Sequence, residues 1–316
     1  MEKVNECRVL STILKESPRC QSTCSAKSIT PSFIRDTSPE GCLIAHTILT
    51  LIETQRLATY FREPLRRMIK LNEPKKLPDV SLKDLWNLAL ATSLLHDFGK
   101  LADQYVRGSK EKSTSFGHHQ LSAIIAHKTL SKILNNYTSI VVAFAIIFHH
   151  EALDWRALES SIFTFNYLMR VFTSIKAIQY TVVSDRLKLF SDNLSKVLKQ
   201  LQEKNFLLND QYDFTSHVLT IALQELSSNE QTPLYVGKEL SIAETKRPNV
   251  TAPAFFLYRL LYLADNRAAS ARSRYWLDVL KEVDWKNVEN VSEQIYRALT
   301  RGRYYIGLSA IPESVN

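Results

Sequence analysis

Apolar positions along the chain recur mostly at helical spacing. Leu43, Ile44, Thr47, Ile48, Leu51 and Ile52 fall on the 3.6-residue period, and they predict a helix beginning near Gly41. A second helix is expected over Asp84 to Leu95, carrying Leu85, Trp86, Leu88, Ala89, Ala91 and Leu95. Gly99 follows where a helix-ending glycine is expected. A third runs from about Gly117 to Leu134 and a fourth from Tyr137 to His150. The fourth is apolar on every face from Ile140 to Phe148, which suits a buried core helix rather than a membrane span. Further helical pattern covers Phe163 to Glu203, Phe214 to Leu226, Ala254 to Leu280 and Ser292 to Thr300. Polar breaks at Ser227–Pro233 and Lys246–Asn249 separate some of these. No internal repeat is visible, and the fold class is mainly α.

Composition changes this picture little. The 316 residues are 45% hydrophobic and 23% charged, ordinary for a globular protein able to bury a full core. Only 7 glycines occur, fewer than a turn-rich β protein needs. The net charge of +8 points towards an anionic partner, although the basic residues are spread out. No stretch reaches the ~20 apolar residues of a membrane span, and Met1 to Glu6 lacks the apolar core of a secretory signal. A cytoplasmic location is therefore expected. Cys7, Cys20, Cys24 and Cys42 lie outside any paired zinc-knuckle spacing and read as free thiols. Residues 1–40, rich in Ser, Thr, Cys and Pro, read as an N-terminal extension with one short helix from Val9 to Leu14.

The chemistry lies in the histidines. His46 stands on an apolar helix, His96-Asp97 closes the second, His118-His119 opens the third and His149-His150 closes the buried fourth. Imidazole nitrogens and carboxylate oxygens together suit first-row divalent metals. Two imidazoles placed after a nine-residue apolar run are costly to bury without a metal or hydrogen-bond partners. Helical geometry sorts the remainder. His127 lies nine residues beyond His118, roughly 180° round the helix, and should face elsewhere. His118 shares a stripe with Leu121, Ser122 and Ile125, which makes it the preferred ligand over His119. His217, in a polar context, reads as a surface residue. Asp265 ends the apolar run from Phe255, where a metal would make an otherwise expensive carboxylate tolerable.

Leu94-Leu95-His96-Asp97-Phe98-Gly99-Lys100 resembles the HD-x-G-K signature of the HD metal-dependent phosphohydrolases. Tyr262-Leu263-Ala264-Asp265-Asn266-Arg267 is similar to their terminal A-D element, and His46 to their leading histidine. With the extra His118, the pair His149-His150 and the segment Phe116 to Ala123, the pattern resembles the HD nuclease of CRISPR type I interference systems. The resemblance covers about residues 43–155 and 254–275. It implies an HD helical bundle over residues 41–280; the stretch at about 160–250 exceeds what such a domain needs and reads as a helical insertion, and residues 281–316 read as a C-terminal helix and basic tail. It also implies an endonuclease of antiviral defence, a hydrolase with one or two divalent ions. Carried over from the resemblance, one ion would be held by His46, His96, Asp97 and Asp265, and a second by His118, His149 and His150 with Asp97 as bridge. Two dications against two aspartates leave a net positive site, as a phosphodiester requires. Asp97 and Lys100 are the catalytic candidates, Lys100 either touching a phosphate oxygen or positioning the HD turn. Histidine richness favours Mn, Fe, Co or Ni over Mg.

The sequence holds no G-x-x-x-x-G-K-[ST] phosphate loop, so a separate helicase subunit within a CRISPR effector complex is the expected partner. Single-stranded DNA is the expected substrate. Arg267, Arg272, Arg274, Arg301 and Arg303 are candidate strand contacts, the last two beside Tyr304-Tyr305 and so able to combine backbone contact with base stacking. Two other readings compete: a phosphohydrolase of mononucleotides or cyclic dinucleotides, and a non-catalytic adaptor braced by its metal.

Overall fold

Twelve consecutive residues from Leu43 to Thr54 are buried, and they open the first helix, α1 (Leu43–Asn72). This computed structural model describes residues 43–72, 85–110, 117–149, 177–240 and 250–270, of which 84% are helical. The expectation of a mainly α fold therefore holds. Among the described residues the sole β pairing is an isolated antiparallel bridge between Ile178 and Leu234. No helix there is long and apolar enough to cross a membrane.

After α1 come α2 (Leu85–Leu95), a 3-10 turn (Phe98–Leu101) and α3 (Asp103–Lys110). Then follow α4 (His118–Ile133), α5 (Asn136–Phe148), α6 (Ser184–Glu203), α7 (Asn209–Ser228), α8 (Val236–Glu239) and α9 (Thr251–Ser270). Every residue of α2 is buried, as is every residue of α5 from Tyr137 onwards. Both are core helices, as the uniform apolar pattern of α5 predicts. Asn135 caps α5 by accepting from Thr138 N at 2.9 Å, satisfying one of its unpaired N–H groups. Only Leu134 and Asn135 separate α4 from α5, so the two pack as neighbours.

The long helix α9 lies against both α1 and α5, while α7 packs on α4, α6 and α2. Phe190, Leu194, Val218 and Leu226 of α6 and α7 belong to the same buried core as α1, α2 and α5. α6 begins at Ser184 rather than running unbroken from Phe163; residues 177–183 are not helical. There the backbone of Ile178 pairs with Leu234 in both directions, at 2.7 and 2.8 Å, which satisfies groups a helix would otherwise use. α1 continues twenty residues beyond the predicted stretch, because Leu57, Leu65 and Ile69 carry a narrower buried stripe through its polar half. α7 starts at Asn209, ahead of Phe214. The segments Val9–Leu14, 163–176, 271–280 and Ser292–Thr300 lie outside the described residues.

Candidate metal centre

Four sequence-distant segments meet at one buried point. His46 comes from the first turn of α1 and His96-Asp97 from the turn that ends α2; His149 follows α5, and Asp265 lies on α9. His46 Nε2 stands 2.9 Å from Asp265 Oδ1 and 3.3 Å from Asp97 Oδ2. His96 Nε2 is 3.3 Å from His46 Nε2, 3.3 Å from Asp97 Oδ2 and 3.7 Å from Asp265 Oδ1. His118 and His149 each present Nε2 to Asp97 Oδ1, at 3.7 and 3.8 Å. Two ligand groups result, His46–His96–Asp265 and His96–Asp97–His149, each with its donor atoms within 4.8 Å of one another.

Local structure aims these nitrogens. His96 Nδ1 bonds the Ser93 carbonyl at 2.8 Å, and His149 Nδ1 bonds the carbonyl of Ile146. A carbonyl only accepts, so Nδ1 carries the proton in both rings and Nε2 is left to the centre, the tautomer a metal needs. Asp97 is seated by its turn: Lys100 N donates to its carbonyl at 2.9 Å. Gly99 is part of this seat, though not as a helix-ending glycine. A Cβ there would lie 2.0 Å from the His118 carbonyl oxygen, so only glycine lets α4 approach the turn. Gly99 N donates to Ser122 Oγ at 2.8 Å and ties the two together.

Lys100 extends to Asp97 Oδ2, 2.6 Å away, with its ammonium 5.8 Å from the Tyr105 ring centroid. The Tyr105 ring meets His118 edge-on at 5.1 Å. Burial alone would raise the Asp97 carboxyl, but Lys100 and His96 hold it well below its ordinary value. Burial opposes charge on His96 as well, yet Asp97 and Asp265 push it up to about 10. His119 moves the other way, to about 4, through burial and then the nearby His149. Most of the cluster is inaccessible, whereas the Asp265 side chain is 24% exposed and that of His118 13%. The centre therefore opens to solvent on their side.

The donor set fits a divalent cation. Asp97 Oδ1 is buried and accepts no hydrogen bond among the described residues, while two imidazole nitrogens stop just short of it. Two carboxylates facing a cluster of imidazoles need positive charge, and borderline metals bind this mixture. His46, His96, Asp97, His118, His149 and Asp265 are thus brought together; His150 lies outside the described residues, as do Arg272, Arg274, Arg301 and Arg303. His127 faces elsewhere, its Nδ1 3.0 Å from Ser139 Oγ, and His217 is exposed.

Arg267 reaches a second buried acid. Its Nη1 lies 3.2 Å from Glu53 Oε2, which Arg56 Nε also meets at 3.1 Å. Burial pushes the Glu53 carboxyl up against the lowering pull of Arg56. Glu53 sits two helical turns after His46 and Arg267 two residues after Asp265, so this pair clamps α1 to α9 beside the centre. Sequence reasoning missed Glu53, Tyr105 and the Gly99–Ser122 bond. The place of Ser122 on the His118 stripe was the one available signal. No protein-family model, no curated protein and no solved structure matches the chain.

Proposed function

We propose that this protein is a divalent-metal-dependent phosphodiesterase of the HD type that hydrolyses single-stranded DNA. On this reading it is the nuclease subunit of a CRISPR type I interference complex, with the helicase supplied in trans. The observation that supports it is the convergence of His46, His96, Asp97, His149 and Asp265 on one buried point, with two Nδ1 groups tied back so that Nε2 faces inward. Bound ions in such a centre supply Lewis-acid charge to a phosphodiester and acidify water. Asp97 touches both ligand groups through its two oxygens and is the residue able to join them. Lys100, already on Asp97, adds fixed positive charge close to where a phosphate would sit. Asp265 and His118 mark the open edge through which a strand would enter.

The test is cleavage of a labelled single-stranded DNA by protein reconstituted with manganese, beside a duplex control and the Asp97→Ala variant. Metal-dependent cleavage lost in the variant is the expected result. Protein that binds manganese but leaves DNA and RNA intact would overturn the nuclease reading. A panel of mononucleotides and cyclic dinucleotides then separates a nucleotide phosphohydrolase from a metal-braced adaptor.

A further inference from the structure

Asp265 is the most exposed of the ligands that the fold gathers, and its helix decides what stands beside it. Residues three and four positions apart on a helix are neighbours, their Cβ atoms about 5–6 Å from each other. For Asp265 on α9 these are Leu261, Tyr262, Ala268 and Ala269. Leu261 and Ala268 are buried, and Ala269 carries only a methyl group. Tyr262 is 44% exposed, so it alone of the four presents a large side chain to solvent beside the open edge of the centre. Its ring is also supported from within. Tyr262 leans on Tyr258, the ring centroids 5.9 Å apart and the planes tilted by 50°. Tyr258 is buried, and Phe148 meets it edge-on at 6.3 Å. Phe148 also stacks on Phe255 at 4.9 Å and is the residue before His149. The aromatic run therefore begins next to one ligand in the core and ends next to another at the surface. A single exposed aromatic is ordinary. One held on a fixed support, a single turn from a ligand, is a surface for a flat group bound at that ligand.

We propose that Tyr262 is the base platform of this site, stacking on the nucleobase next to the phosphate held at the metal centre. The assignment rests on the phosphodiesterase reading and adds that the substrate is recognised as a nucleotide, not as any phosphodiester. Lys100 and the ligand cluster deal with a phosphate, which every phosphodiester shares, so discrimination has to come from a group beyond them. A base is separated from its phosphate by one sugar, and Tyr262 from Asp265 by ~4.5 Å of helical rise, so one nucleotide reaches both. Every base has a π-face, so a tyrosine ring selects for nucleobases as a class without reading sequence. Because Tyr258 already restrains the ring, little side-chain freedom is lost when a base settles on it.

The test is calorimetric binding of thymidine monophosphate and of deoxyribose monophosphate to the manganese-loaded full chain, with Tyr262→Ala and Tyr262→Phe alongside. The two ligands share phosphate and sugar and differ by the base. The unsubstituted protein should hold the thymidine ligand about tenfold more tightly. That preference should vanish in Tyr262→Ala and persist in Tyr262→Phe, which keeps the ring. A loss of affinity shared equally by both ligands would make Tyr262 a packing residue and overturn the platform. Equal affinity of the unsubstituted protein for both ligands, or binding of neither, would overturn it as well. The phosphodiesterase reading is decided separately, by metal-dependent cleavage of an abasic oligonucleotide. That strand has phosphodiesters and no bases, so its cleavage upholds the reading even where the platform fails.

Discussion

Two buried carboxylates, Asp97 and Glu53, lie in neighbouring parts of this molecule and meet opposite fates. Each has one oxygen tied to cationic side chains and one that accepts no hydrogen bond among the described residues. Glu53 is neutralised by Arg56 and Arg267, whose guanidinium groups keep their charge at any working pH. Asp97 is surrounded instead by Lys100 and by imidazoles that can exchange a proton for a metal. The first arrangement fixes two helices in place; the second is a site whose charge can be replaced. Burial is common to both, so burial is not the sign of chemistry. The identity of the partners is.

Replacing Asp97 with Asn should give the largest effect, because it takes the charge from the carboxylate that His46, His96, His118 and His149 all face. Hydrolysis should fall on the order of 10³-fold or more, and calorimetry should show weakened manganese binding. Full activity in Asp97→Asn would erase the distinction drawn here. Gly99→Ala comes next. Asp97 depends on a turn that α4 touches, whereas Glu53 depends only on its place in a helix. The added methyl must push the His118 backbone away, with an overpacking cost of about 1–3 kcal/mol. Misplacing a ligand by an ångström can cost about 10²-fold in turnover. Thermal melts and kinetics on one preparation would show both losses; unchanged values would mean that the turn and α4 part freely.

Glu53→Gln should reverse the balance between stability and activity. Two guanidinium groups lose their shared anion, and breaking a buried pair costs about 3–5 kcal/mol, here somewhat less since the Arg267 side chain is 15% exposed. Catalysis suffers only through the seating of α9, so manganese affinity should drop about tenfold, within the range for groups supporting a ligand. A fall in melting temperature without loss of metal affinity would make the clamp purely structural. A fall as severe as that of Asp97→Asn would place Glu53 among the ligands.

One side of this contrast, the surroundings of Asp97, is legible in the sequence. The core helices show as apolar runs, and the candidate ligands as histidines and aspartates at helix ends or on an apolar face. The helix placements and the family resemblance together single out His46, His96, Asp97, His118, His149 and Asp265, and the fold draws these six together. What stayed hidden depends on contacts between distant segments. Glu53 reads as one more acid on a helix until Arg267, 214 positions away, is seen against it. The pairing of Arg267 with Glu53 is likewise visible only in the fold. Gly99 suggested a helix end, because close approach by α4 leaves no local signature. The non-helical stretch at 177–183 was lost too, since its pairing with Leu234 is non-local.

The smallest effect is the most diagnostic, because it separates the two acids by pH alone. In the metal-free protein His96 is held protonated up to about 10 by Asp97 and Asp265, against an ordinary value of 6.5. A group raised in the fold contributes stability that is complete below its unfolded value and fades as pH climbs through its folded one. Chelator-stripped protein should therefore melt at progressively lower temperature from about pH 6.5 towards 10. The two partners of Glu53 among the described residues, Arg56 and Arg267, keep their charge across that window. His96→Gln should flatten the slope, whereas Glu53→Gln should lower the curve as a whole. Metal binding turns the sign round: it takes the Nε2 lone pair, expels the proton, and so tightens as pH rises. Melting curves at pH 6 and 9, with and without manganese, test all of this at once. A stripped protein equally stable at both would mean that His96 is already neutral, and that the charge on Asp97 is met by Lys100 alone.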